Sequence, residues 1–120
     1  MTTMNPEVKA QWVKALRSGK FEQGRFCLRR EGAYCCLGVL CELYRQEHED
    51  EVFWIDDMRR GSSLFGLENP GTTLLPREVQ NWAGLSSRNP RFGSEHSAVC
   101  YNDERCFSFD QIADLIEEHL

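Results

Sequence analysis

The feature that most constrains this chain is an almost uncharged run at residues 35–43, which holds three of the six cysteines. Leu37, Leu40 and Tyr44 recur there at helical spacing and predict a helix with a buried face. Gly38 lies inside the run and costs up to about 1 kcal/mol relative to alanine in a helix. We therefore expect another element to approach this helix closely at Gly38.

Two further helices are predicted from their end signals. The first begins at Pro6, with Asn5 as its cap, and ends at Gly19. The last begins after Ser108, and Gln111 three residues later completes a capping box. A short helix is also expected over residues 75–82.

Short runs of aromatic and β-branched residues between turn signals predict short strands. These runs are residues 24–30 and, after a turn at 31–32, residues 33–35, followed by 52–55 and 98–101. In the first of them, Phe26 and Leu28 are expected to share one face. Residues 56–73 are predicted to form a long irregular loop.

The order of these elements predicts a compact α+β fold, with residues 1–120 as a single domain. Three to four helices are expected to pack on a small antiparallel sheet of short strands. The N-terminus has no basic-then-apolar leader, and no apolar run approaches the roughly 20 residues of a membrane span. We therefore expect a cytoplasmic protein without a membrane partner.

The cysteines and histidines do not show the spacing of a zinc site, because the sequence contains no Cys-x-x-Cys pair. In a reducing cytosol we expect free thiols, mostly small buried side chains, and no metal or cofactor. Cys35 or Cys36 near a helix N-terminus could have a lowered thiol pKa. No nucleophile–base signature surrounds either residue, so no catalytic residue is assigned and enzymatic activity is left open.

Charge is unevenly distributed along the chain. Residues 1–30 carry a net charge of +5, whereas residues 31–120 carry −10. A small basic face suits a compact anion such as a nucleotide better than duplex nucleic acid, which calls for a larger basic surface. The alternative is a solvated helix face without a ligand.

Two glycine-containing segments combine freed backbone amides with basic side chains, as a phosphate site requires. They are residues 18–25 and 59–63. Neither matches the common phosphate-loop or dinucleotide patterns. Either segment could equally be a solvated turn.

Several phrases of the sequence resemble a widespread family of small uncharacterised proteins encoded by tailed phages and prophages. The phrases are residues 5–21, 23–24, 35–43, 75–76 with Val79 and Trp82, 102–103, and 108–109 with Ile112 and Ala113. The resemblance runs from Asn5 to Leu120 and is weakest over residues 47–73. It implies a viral accessory protein inside the host cell, without an assigned activity.

Small phage accessory proteins often oppose host defence, in some cases by sequestering a nucleotide second messenger. The leading hypothesis is therefore an anti-defence protein that binds a small anionic nucleotide. The candidate ligand-binding residues are Lys20, Gln23 and Arg25 for phosphates or ribose, Tyr34 or Tyr101 for the base, and Asn102 with Asp103 for polar edges. The alternatives are an interaction module that inhibits a host protein and an enzyme that cleaves the signal through His96 or Asp103. A homodimer is compatible with either kind of binding protein.

Overall fold

The computed structural model describes residues 4–56, 61–67, 72–93 and 96–120. The helices in those ranges are α1 (Pro6–Arg17), α2 (Cys36–Glu47), α3 (Arg77–Ala83), a π-helical turn (Cys100–Glu104) and α4 (Phe109–His119). The strands are β1 (Glu22–Gln23), β2 (Arg29–Arg30), β3 (Ala33–Tyr34), β4 (Phe53–Ile55) and β5 (Ser63–Phe65). The predicted α+β fold of one compact domain is confirmed.

The predicted helix ends are confirmed where local signals define them. The Asn5 side chain accepts a hydrogen bond from the Glu7 backbone N–H at 3.0 Å. Ser108 and Gln111 form the expected capping box at the start of α4. Gly84 ends α3 in the left-handed conformation that glycine adopts without steric cost.

Helix α2 lies at the centre of the core, with α1 and α3 against it, and α4 packs on α1. Trp12 of α1 is completely buried, and its indole N–H donates to the Cys36 carbonyl at 2.9 Å. Cys35 caps α2, where its Sγ accepts from the Gly38 N–H at 3.4 Å. Residues 35–42 are buried as the sequence predicts, whereas Leu43 at the end of the run is partly buried, and all six cysteines are free thiols.

The backbone of residue 28 crosses α2 at Gly38. A Cβ placed on Gly38 would lie 1.7 Å from the Leu28 carbonyl oxygen. The same crossing brings the Cys35 N–H to that oxygen, at 3.1 Å. The close approach expected at Gly38 is confirmed. The approaching segment is the backbone of Leu28, whose side chain is buried in the core.

The sheet around this crossing is mixed, not antiparallel throughout as predicted. Strand β3 lies in the middle, antiparallel to β2 and parallel to β1. The predicted strand 24–30 is reduced to β2, because Phe26 has φ 71° and turns the chain. Phe26 is 67% exposed whereas Leu28 is buried, so the two side chains do not share a face.

A second, two-stranded sheet is formed by β4 and β5, which pair antiparallel. Strand β4 confirms the strand expected at 52–55. The prediction of an irregular loop throughout 56–73 is wrong, because residues 63–65 form β5. This strand could not be predicted from its own segment, because its pairing partner β4 lies outside it. Residues 57–60 and 68–71 of the predicted loop lie outside the described residues.

The strand predicted at 98–101 is wrong, because this segment is helical. The Arg105 N–H donates to the Cys100 carbonyl at 2.9 Å, a bond across five residues that defines a π-helical turn. Tyr101 and Asn102 are buried on its inner side. The short apolar run 98–101, which suggested a strand, buries Ala98 and Tyr101 in a helical conformation instead.

Glu42 joins α2 to β4 through a buried carboxylate. It accepts from the Arg45 Nε at 2.6 Å, from the Trp54 indole at 2.9 Å and from the Gln46 amide at 3.1 Å. Burial alone would raise the pKa of Glu42. The hydrogen bonds from Arg45, Trp54 and Gln46 outweigh that effect and hold the pKa below its ordinary value.

Gly38→Ala is expected to destabilise the protein by about 3 kcal/mol or more, because the added methyl collides with backbone and not with a movable side chain. Urea unfolding measures the change. Glu47→Ala, at an exposed position of the same helix, should change the free energy of unfolding by less than about 0.5 kcal/mol. A Gly38→Ala protein as stable as the parent would contradict the close crossing.

Glu42 should contribute to acid sensitivity. Its stabilising effect is fully present above the ordinary glutamate pKa of about 4.3 and is lost as pH falls through the lower pKa of the folded state. Glu42→Gln should therefore flatten the loss of stability on acidification, measured by urea unfolding at pH 7 and in acid. Glu47→Gln is the control and should leave the acid limb unchanged.

Candidate functional site

A groove of about 290 Å³ runs between α1 and α2 and is the candidate site. Its first wall is the α1 stripe Gln11, Lys14, Ala15 and Ser18, which follows helical spacing. Its second wall is formed by Leu43 and Gln46 of α2, and Lys20 with Phe21 closes it at the start of the sheet. The groove lies at the passage from the first helix to the first strand and contains Lys20 of the glycine-containing segment 18–25.

The lining of the groove is cationic, because Lys14 and Lys20 lie in it and none of its described lining residues carries a carboxylate. Other basic residues of the N-terminal segment are engaged elsewhere. Arg17 forms ion pairs with Asp114 and Glu117 of α4. Neither Lys14 nor Lys20 has an ion pair within the described parts of the chain. Lys14 and Lys20 therefore give the groove a local positive charge.

A tight turn holds Lys20 at the groove. The Ser18 hydroxyl donates to the Ala15 carbonyl at 2.6 Å and accepts from the Lys20 N–H at 3.1 Å. Gly19 between them has φ 75°, which strains any residue with a Cβ. Because its hydroxyl is used within the turn, Ser18 positions Lys20 and contributes no free donor.

An aromatic cluster supports the apolar side of the groove. Phe21 lines the groove, and its ring contacts the Tyr34 ring edge-on, with centroids 5.2 Å apart. Tyr34 in turn contacts Trp54 at 6.0 Å, and the Arg29 guanidinium lies over both rings. Phe21 is the ring that faces the groove, whereas Tyr34, the predicted base-stacking residue, supports it from behind.

Asn102 is completely buried and is fully used in hydrogen bonds within the protein. Its Oδ1 accepts from the Gln23 amide at 2.9 Å and from the Cys36 N–H at 3.2 Å. Its Nδ2 donates to the Gly24 carbonyl at 2.9 Å and to Asp103 at 2.7 Å. The expected contact of Asn102 with a ligand edge is therefore corrected to a structural role.

Gln23, Tyr101 and Asp103 share this structural setting. The Gln23 amide also donates to the Phe107 carbonyl at 2.8 Å, so both its hydrogens are engaged. Tyr101 is 7% exposed and packs against Phe92 and Phe107, which leaves no ring face for a base. Asp103 accepts from Asn102 and does not line the groove.

Arg25 is exposed in the connection between β1 and β2, outside the groove. Of the seven predicted ligand-binding residues, Lys20 alone lies in the groove. Gln11, Lys14, Phe21 and Gln46 line the groove but are not among the residues predicted from the sequence. The 11–14–15–18 stripe of α1 was a signal for part of this set, since it presents polar residues beside Ala15 on one helix face.

The buried thiols do not have the properties of nucleophiles. Burial raises the pKa of Cys35 to about 12, and burial also raises the pKa of Cys36 and Cys41 well above the ordinary value. The lowered pKa considered for a cysteine at the α2 N-terminus is therefore corrected. Among the described residues, no group of three histidine, cysteine or acidic side chains could hold a metal ion.

The second glycine-containing segment of the sequence, residues 59–63, is only partly described. Arg59 and Arg60 lie outside the described residues. Gly61 and Ser62 line a cavity of about 190 Å³ beside the turn between β2 and β3.

Charges of both signs line the described part of this second cavity. They are Arg29, Arg30, Glu31 and Asp56. The Arg29 guanidinium lies 3.6 Å from the Asp56 carboxylate, which also accepts from the Ser62 hydroxyl at 2.5 Å. An anion entering here would compete with Asp56, so the α1–α2 groove is the stronger candidate.

The chain belongs to the family described as "Domain of unknown function (DUF8296)", which matches residues 4–120. A search of curated proteins and a search of solved structures each found no match. Over the residues that the structure covers, no helix is long and apolar enough to cross a membrane. Neither the family description nor the fold therefore assigns a function to the chain.

Asn102→Ala is expected to lower the free energy of unfolding by about 3 kcal/mol or more, because it removes four hydrogen bonds and leaves buried partners unsatisfied. Arg25→Ala should change it by less than about 0.5 kcal/mol, since Arg25 is exposed. Chemical denaturation of both variants measures the difference. Equal stability of the two variants would contradict the structural role of Asn102.

Proposed function

We propose that this protein is a phage-type accessory protein that opposes host defence by binding and sequestering a small nucleotide-derived signal in the α1–α2 groove. It acts in the cytoplasm of the host cell. The observation that carries the proposal is the groove itself, where Lys14 and Lys20 lie beside Phe21 and no carboxylate is found among the described residues that line the walls.

The chemistry of the groove matches the parts of a nucleotide. Two ammonium groups provide donors and positive charge for phosphate oxygens. The Phe21 ring offers a surface for a base, and stacking of a base on an aromatic side chain contributes roughly 1–3 kcal/mol in single-strand binders. Gln11 and Gln46 add amides that can bond the ribose or the edge of a base.

Sequestration needs binding without turnover, and the described groove suits that role. Its lining residues include neither a histidine nor a carboxylate that could act as a general acid or base. His96 and Asp103, the residues considered for a cleaving enzyme, are not among them. A released ligand would therefore be chemically intact.

The test is incubation with a panel of cyclic and ADP-ribose-type nucleotides, followed by heat denaturation and analysis of the supernatant. Intact ligand supports sequestration, whereas a cleaved product would support the enzyme alternative. Lys20→Glu should weaken binding by about tenfold or more, because it places a carboxylate beside the phosphate.

Arg77→Glu is the matched control for Lys20→Glu. It changes the net charge of the protein by the same amount but lies at the exposed start of α3, outside the groove. Binding should be unchanged in this variant at physiological salt. Equal weakening by the two variants would contradict the groove as the binding site.

Exposed apolar side chains favour a second candidate function, an interaction module that blocks a host protein. Phe26, Phe53 and Ile55 are 67%, 50% and 42% exposed. Phe26 is held at a positive φ, a strained backbone conformation for an aromatic residue. If no nucleotide in the panel binds, this candidate is favoured.

A homodimer stays a prediction, which light scattering of the purified protein tests.

A further inference from the structure

We infer that the sequestered ligand contains two nucleoside units joined through phosphate, and that the second unit lies in a depression between α1 and α4 that adjoins the α1–α2 groove at Lys14. This inference rests on the proposed function and names the ligand class of the same site. It follows from one exposed lysine of α1 that lines two neighbouring depressions.

The second depression, which we call the α1–α4 depression, has a volume of about 320 Å³. Its lining comes mostly from the first two turns of α1 and includes one residue of α4. Three of the lining residues are apolar and three are charged. They are Pro6, Lys9, Ala10, Val13, Lys14 and Glu117.

Helical spacing places Lys14 on the ridge between the two depressions. At about 3.6 residues per turn, Lys14 lies about 40° from Ala10 on one side and about 100° from Ala15 on the other. Ala10 lines the α1–α4 depression and Ala15 lines the groove, whereas Lys14 lines both. A group bound by Lys14 is therefore adjacent to both depressions.

The side chain of Lys14 is available to a ligand. It is exposed and has no hydrogen bond or ion pair with another residue in the part of the chain that the structure describes. Lys9, by contrast, donates to the Glu117 backbone carbonyl at 3.2 Å. The Glu117 carboxylate accepts from Arg17 at 2.8 Å and 3.2 Å, so its negative charge is paired. Lys14 is thus the cation at which a phosphate would bind beside the α1–α4 depression.

This order of groups matches two nucleosides joined through phosphate. Phe21 and Leu43 provide apolar surface for one base in the groove, and Ala10 and Val13 provide it for a second base in the α1–α4 depression. Lys14 lies between them, at the place of the linking phosphate. A ligand with one base would cover the apolar surface on one side of Lys14 and leave the other side in water.

The two depressions are close enough to hold one ligand. Ala10 and Ala15 are five residues apart, which is about 7.5 Å along the helix axis. Pockets that bury a drug-sized ligand measure about 300–1,000 Å³. The groove, at about 290 Å³, and the α1–α4 depression, at about 320 Å³, are at the lower end of that range. Each therefore suits one nucleoside unit, and the pair suits a ligand with two.

ADP and diadenosine diphosphate isolate the contribution of the second nucleoside. Both contain one pyrophosphate, and the diadenosine compound carries the smaller negative charge, so attraction to the lysines favours ADP. Titration calorimetry of the full chain should nevertheless show diadenosine diphosphate binding about tenfold or more tightly than ADP, because its second adenosine covers further apolar surface.

Ala10→Gln tests the position of the second unit. It fills the α1–α4 depression with an uncharged polar side chain that favours a helix, so it should bring the ratio of the two affinities close to one while ADP binding changes little. Asn81→Gln is the matched control, because it places the same side chain at an exposed position of α3 outside both depressions. This control should preserve the ratio. Each ratio compares two ligands on one protein preparation, so partial unfolding of a variant affects both alike.

Equal binding of ADP and diadenosine diphosphate to the unmodified protein would overturn this inference and leave the proposed function intact. A preference that survives Ala10→Gln would overturn the assignment of the second unit to the α1–α4 depression. If neither ligand binds, the inference is overturned, and the panel of cyclic and ADP-ribose-type nucleotides decides the proposed function separately.

Discussion

The buried side chain of Asn102 is the interaction on which the arrangement of the structure depends. One amide joins the π-helical turn to the N-terminus of α2 and to the end of β1, through bonds to Cys36, Gln23 and Gly24. These segments are far apart in sequence, with 66 to 79 positions between Asn102 and its partners. A buried amide with all its bonds made specifies a unique packing more strongly than apolar contact does, because any displacement leaves polar atoms unsatisfied.

This central role separates the polar residues of the protein into two sets. Polar side chains near the π-helical turn, such as Gln23 and Asn102, form all their hydrogen bonds within the protein. Those on the α1–α2 surface, Lys14 and Lys20, remain uncommitted within the described structure. The separation explains why Gln23 and Asn102, which were predicted to bind a ligand, are engaged within the protein instead.

The sequence predicts those parts of the fold that local chemistry determines. The starts of α1 and α4 follow from Asn5 and Ser108, whose caps involve residues two or three positions away. The mixed sheet and β5 could not be predicted, because strand pairing depends on partners distant in the chain. The π-helical turn was mistaken for a strand, since a short apolar run fits both a strand and a buried helical turn.

The candidate site, like the fold, was predictable only where a local sequence signal marks a residue. Lys20 was identified because it follows a glycine turn, a local signal. Lys14 and Gln46 were missed because they meet only where two helices cross. Asn102 was assigned to a ligand because its neighbours in sequence are polar, and its burial is a property of the assembled core.

The distribution of thiols has a consequence for how the protein responds to oxidants. Four cysteines are enclosed and two, Cys100 and Cys106, reach the surface. Thiolate is the form that reacts, and the enclosed groups are both shielded and held in the protonated state. Among the thiols, oxidation would thus begin at Cys100 and Cys106, which flank the π-helical turn, and reach the four enclosed thiols only in molecules that have already opened.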